Sequence, residues 1–266
     1  MTIERQTRRR WMCGLALVAM VAGAASAQTA LRVKGTTTAT GGGAGVAAAI
    51  QLDACYGYRG LDFVGQKSFK ARANDKGQWS VLGVTSGVWM FAAHAPGRLP
   101  QVVLLPVQFT QKNPASATGG QIPWEVSFEL APAEAGSALE RAALAAASGD
   151  RAGVEVALPA VAETGDAAAL VAAGEMALMV RASGLARAFF ERAVAKEPTL
   201  GRAQLGLASA AMMEGAWDEA AKRLWTARDQ GVSDRLRRAI GAAITELQRI
   251  AVPDGAYKCS PGAPGC

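Results

Sequence analysis

The feature that most limits what this chain can become is a period of roughly thirty-four residues in its C-terminal half. Ala186, Phe190 and Ala193 recur as Ala220, Leu224 and Ala227, and Pro198 closes the first block. Offsets of 0, 4 and 7 put each small, large and small residue on one face of a helix. A pair of such helices cannot bury its apolar face alone, so the pattern demands that each pair stack on a neighbour.

The composition beyond Gly136 agrees. Ala, Leu, Glu and Arg dominate, all good helix formers. Helices are predicted over 137–148, 151–163, 167–181, 185–196, 202–213, 217–228 and 234–251. Gly149-Asp150, Gly165-Asp166, Ser183-Gly184, Glu197-Pro198 and Glu214-Gly215 separate them, and Ser233 stands where the last would need an N-cap.

The half before this obeys a different rule. Short apolar or alternating runs over 30–35, 46–52, 68–73, 78–82, 88–93, 101–107 and 125–130 predict seven strands of a β-sandwich. Asn74-Asp75-Lys76-Gly77 predicts a hairpin turn and Ala95-Pro96-Gly97 a second turn. Gly41-Gly42-Gly43 is a flexible connection. A loop over 110–121 precedes the last strand, and 131–136, rich in Ala, Pro and Gly, marks the boundary between domains.

At the N-terminus, Arg8-Arg9-Arg10 precede an apolar run over 12–24, and Ala25-Ser26-Ala27 is a small-x-small cleavage site. Residues 1–27 therefore read as an export signal, by the general secretory route or, through Arg8-Arg9-Arg10-Trp11-Met12, the twin-arginine one. Removing Glu4, Arg5 and the three arginines lowers the formal charge of +6 to +3. No basic face interleaved with aromatics remains, which argues against nucleic acid as a partner. The expected setting is the periplasm or the outside of the cell, with no membrane span after cleavage.

Two resemblances follow from these motifs. Gly35, the run 46–52, Asn74 to Val81 and Gly87 to Gly97 resemble the carboxypeptidase regulatory-like, transthyretin-like β-sandwich, with an insertion over 53–66 that departs from it. The resemblance implies an accessory module without catalytic residues over 28–131. Gly174, Ala186, Phe190, Ala193 and Pro198, then Leu207, Ala208, Gly215, Trp217, Glu219, Ala220, Leu224 and Ala227, resemble tetratricopeptide repeats. That array covers 137–251. Val232 stands where the second closing proline belongs, Pro159 marks a divergent first pair, and 234–251 resembles the solvating cap helix, with Arg235, Arg237, Arg238 and Arg249 facing water.

Little chemistry can be assembled. His94 is the only histidine, with no Asp or Cys placed beside it in sequence. There is no H-E-x-x-H, no Ser-His-Asp arrangement, and no Lys after the glycine run to make a phosphate loop. Asp218 and Glu219 fall at repeat positions that turn or face solvent. No catalytic residue, metal site or cofactor is expected. Cys259 and Cys266 flank a short Pro/Gly loop suited to a disulfide in the tail 252–266, leaving Cys55 free or buried.

The remaining candidate is the groove of the repeats. The tetratricopeptide resemblance places Val171, Glu175, Leu178 and Met179, then Arg202, Leu205, Ser209, Met212 and Met213, on its concave face. Two readings stay open: a groove for a protein or peptide partner in the envelope, or a surface packed against the divergent first helix pair or the chain's own sandwich. The aromatics Trp79, Trp89 and Phe91 likewise read either as sandwich core or, with Tyr56 and Tyr58, as a sugar-stacking platform. The sequence thus points to a non-enzymatic interaction protein, with a glycan- or ligand-binding module as the alternative.

Overall fold

The computed structural model describes residues 31–41, 43–57, 68–84, 87–107, 124–230, 232 and 234–250. The described residues form eight strands and then seven helices. The strands are β1 (Leu31–Ala39), β2 (Ala49–Gly57), β3 (Ser68–Arg72), β4 (Gln78–Val84), β5 (Gly87–His94), β6 (Gln101–Val107), β7 (Trp124–Glu125) and β8 (Phe128–Leu130). The helices are α1 (Ala138–Ser148), α2 (Arg151–Thr164), α3 (Ala167–Met179), α4 (Ser183–Lys196), α5 (Gly201–Met213), α6 (Trp217–Asp229) and α7 (Asp234–Ile250). The predicted β-sandwich followed by a short helical hairpin array is what the chain adopts.

One sheet centres on β1, which pairs antiparallel with β4 and parallel with β7 and β8. The other runs β3-β2-β5-β6, antiparallel throughout, with β6 on its edge. Trp79 stacks on Phe128 with ring centroids 6.1 Å apart, and Phe69 meets Trp89 at 5.7 Å. Trp79, Trp89 and Phe91 are all buried, so these rings are core and offer no face to a sugar.

Two expectations need correction. The seventh strand splits into β7 and β8 around Val126, whose N–H still donates to Lys34 O at 3.0 Å. The Val126 carbonyl lies where a side chain at residue 35 would stand: a Cβ on Gly35 would meet that oxygen at 1.7 Å. The turn at Asn74–Gly77 forms as its residues dictate, with Asn74 Oδ1 accepting from the N–H groups of Lys76 and Gln78 and Gly77 at φ 73°. It does not join paired neighbours, however. β3 and β4 belong to opposite sheets, so the turn is a corner of the sandwich.

The boundary at 131–136 is tied down. Leu99 N–H donates to Ala131 O, Ala133 N–H to Gly97 O, and the Arg98 guanidinium to Leu130 O at 2.9 Å. Ser137 then caps α1, accepting from Glu140 N–H at 3.0 Å while Glu140 Oε2 accepts from Gly136 N–H. This reciprocal arrangement satisfies donors a helix start leaves open. Asp150 and Asp166 cap α2 and α3 one way only, accepting from the N–H groups of Gly153 and Ala169, neither of which has a polar side chain to reach back.

The helices pack as antiparallel neighbours, α1 on α2, α3 on α4, α5 on α6 and α6 on α7. α4 locks its two flanking helices through Phe190. Cβ atoms built on Gly174 of α3 and Gly206 of α5 would meet its ring at 2.6 Å and 2.2 Å. Only two residues without side chains leave room for it.

Candidate functional site

The inner curve of the array is built by α3, α5 and α7, the first helix of each successive pair. All three contact β6. The sandwich and the array share one continuous hydrophobic cluster. Val171, Glu175, Leu178, Leu205, Ser209 and Met212 are buried on this curve, and Arg202, Met179 and Met213 are half-buried. The structure brings Glu175, Arg202, Leu205 and Ser209 together at β6, and lays the chain's own strand across them. Of the two readings left open by the sequence, packing against the sandwich is the one realised.

The polar members of the set explain how. In an antiparallel sheet every second N–H of an edge strand points away from its partner. On β6 these positions are Val102, Leu104 and Pro106. The Val102 backbone faces the Glu175 carboxylate and helps to hold its charge. The Leu104 N–H is accepted by Ser209 Oγ at 3.1 Å, and that hydroxyl donates in turn to Leu205 O at 3.0 Å. Proline has no N–H to present at 106. A strand edge that could recruit a foreign strand is therefore covered position by position.

Glu175 needs a counter-ion because it is 4 % exposed. Arg202 provides it, one amino group lying 2.8 Å and 2.9 Å from the two carboxylate oxygens. Burial nevertheless pushes the Glu175 carboxyl above its ordinary range, against the pull of Arg202. A second tie joins the domains at Arg181, the only non-glycine residue with positive φ among the described residues, at 59°. Its guanidinium reaches Asp53 at 4.0 Å, beside buried Cys55, whose thiol burial pushes up while Arg181 pulls it down.

The other candidates fall elsewhere. Glu219 is held below the usual carboxylate range mainly by its hydrogen bond to Arg187, which also pairs with Glu214 at 2.6 Å and so joins α4 to the α5–α6 turn. His94 is half-buried at the end of β5. Among the described residues no group of three or more His, Cys, Asp or Glu side chains converges on a metal position. Cys259, Cys266, Tyr58, Ser233 and residues 1–27 lie outside the described residues, as do the side chains of Tyr56, Arg235 and Arg249. Arg237 and Arg238 are exposed as expected, but the opposite face of α7 does more than cap the array, since it also packs on β6 and β7.

No protein-family model and no curated protein matches the chain. Among solved structures, a chain of the APC/C hetero-tetramer Cut9–Hcn1 aligns at 19 % identity and TM-score 0.30, over 43 % of this chain and 24 % of its own. The full-length major pilin SpaD from Corynebacterium diphtheriae aligns at 10 % identity and TM-score 0.27, over 38 % of this chain and 30 % of its own. This chain spans less than a third of either, and at these scores neither defines its fold.

With the inner curve occupied, the large apolar side chains left exposed on the array, among the described residues, are at its first hairpin. Leu144 of α1 is 65 % exposed and Val156 of α2 is 82 % exposed. They flank a shallow groove floored by Ala145, Gly153, Ala157 and Ala160, with Arg141 and Asp150 on its rim. This surface was not singled out in the sequence. Its signal is Val156, an apolar residue on the outward side of α2 beside Arg151 and Glu155, which pair with each other at 2.7 Å.

Proposed function

We propose that this chain is an exported, non-enzymatic scaffold of the bacterial periplasm or cell envelope. Its tetratricopeptide-like array grips its own β-sandwich with the inner curve and docks a protein partner on the outer face of its first hairpin. The observation that carries the reading is the exposure of Leu144 and Val156 at the end of a repeat stack. Terminal repeats need a polar outer face for solubility, and a bare apolar one marks an interaction surface. The alanine and glycine floor suits the close approach of a partner's helix, and Arg141 and Asp150 give it opposite charges by which to orient. Export is supported by the basic start, the apolar run and Ala25-Ser26-Ala27.

The test is site-specific photocrosslinking in the native cell from residue 156, with residue 82 on the sandwich as the control. A discrete adduct from 156, absent from 82 and lost in Leu144→Glu, is the expected result. An adduct with a second copy of this chain, or equal capture from both positions, refutes partner docking at the hairpin. Recovery of the protein in the cytoplasm with residues 1–27 retained refutes the location.

A further inference from the structure

We infer that the chain binds a medium-chain aliphatic carboxylate, in a pocket between the ends of β3 and β5 and the helix α1. The site is separate from the first-hairpin groove, although Leu144 borders both.

The pocket is a product of register. Ala49 on β2 is directly opposite Arg72 on β3 and His94 on β5. Directly opposed residues project to the same face of a sheet, so a small side chain stands between a guanidinium and an imidazole. Ala143, Leu144 and Ala147 of α1 form the facing wall. Short side chains on both sides leave about 330 Å³, within the roughly 300–1,000 Å³ typical of small-molecule sites. The position, at a junction of domains, is also where such sites concentrate.

Charge selects the ligand. Glu140 borders the pocket, but its carboxylate is engaged at the start of α1, accepting from Gly136 N–H at 2.6 Å. Arg98 borders it too, and donates to Leu130 O. Arg72 pairs with Ala49 through its backbone and is exposed, and its side chain makes no ion pair among the described residues. An exposed guanidinium at the mouth of a largely apolar pocket matches one carboxylate with an apolar body, and its planar fork can hold both oxygens. Most of the lining is alanine, proline, glycine and leucine, so a peptide's C-terminus would bring more amide groups than His94, Arg98 and Glu140 can satisfy, at a desolvation cost. An alkyl chain brings none.

The experiment is calorimetric titration of the full mature chain with octanoate. One saturable site is expected, at least about tenfold weaker in Arg72→Gln, as the loss of a charge-assisted hydrogen bond implies. 1-Octanol, with the same chain and no charge, binds at least as poorly as octanoate does to that variant. Ala147→Trp, at an exposed position, and Ala49→Leu each block the pocket. Absence of saturable binding, equal affinity for octanol, an unchanged Arg72→Gln, or wild-type binding by both blocking variants overturns the inference. None of these outcomes bears on crosslinking from residue 156.

Discussion

Ser209 on α5 accepts the backbone N–H of Leu104 on β6 at 3.1 Å, so a hydroxyl from the repeat array closes the edge of the sandwich. Both groups are buried. Ser209→Ala leaves the Leu104 N–H without a partner, and an unsatisfied buried donor costs about 1–3 kcal/mol. Urea unfolding should show that loss with an unchanged slope. A loss indistinguishable from that of an exposed serine such as Ser148→Ala would remove the clamp from the account.

Glu175 gives a pH signature. Burial raises its carboxyl, so on acidification the folded chain takes up a proton before the unfolded chain does. The linked stability is complete below about 4.3, the unfolded value, and is lost as pH rises through the folded one. Wild type should therefore gain on Glu175→Gln as pH falls through that window. A difference between the two proteins that does not vary with pH contradicts the raised value.

His94 should behave in the opposite sense. Burial lowers its folded value, so the neutral ring is favoured in the fold. The linked stability is present above about 6.5 and is lost as pH falls through the folded value. With a single histidine in the chain, the imidazole C2 proton can be followed without assignment ambiguity by NMR. A midpoint at or above the ordinary value would show the ring to be solvated.

Gly206→Ala tests the slot around Phe190. The added Cβ meets a ring atom at 2.2 Å, and the ring is confined from the other side by Gly174. Overpacking of this kind costs about 1–3 kcal/mol. Gly184→Ala, where nothing lies within 4 Å of the new atom, should be neutral or slightly stabilising by comparison. The melting temperatures of the two variants decide it.

The shared core predicts a single unfolding transition. Near-ultraviolet signals from Trp79 and Trp89 of the sandwich and from Trp217 and Trp225 of α6 should all melt together with the helical far-ultraviolet signal. A fragment ending at residue 136 should aggregate, because it bares the β6 edge and the apolar surface beside it. Two separated transitions would show the halves to be independent.

The helices were legible nearly to the residue, because caps such as Ser137 and Asp150 and breaks such as Gly149 act locally. The strand runs were legible too, but not the sheet each joined: Asn74 and Gly77 fix a turn whatever lies beyond it. Of the residues Val171, Glu175, Leu178, Leu205, Ser209 and Met212, those whose contacts place them at β6 are Glu175, Leu205 and Ser209, and the repeat spacing says nothing of what covers them. The decisive signal was nevertheless present. α3 is apolar almost all round, which marks a helix without a solvent side. β5 and β6 are continuous apolar runs, which mark strands covered on both faces. Each pattern alone suggests a buried element. Only together do they say that the two bury one another. The Arg72–Ala49–His94 row could not be read, since it depends on a pairing register that spans forty-odd residues of chain.

Because α7 rests on both α6 and the β6–β7 side of the sandwich, the array resists lengthening at that end. An extra pair of helices inserted after α6 would have to unseat α7 from its second support. A pair inserted before α1 would meet Leu144 and Val156 already exposed, but would have to give up the ties at 131–136 and the cap of α1.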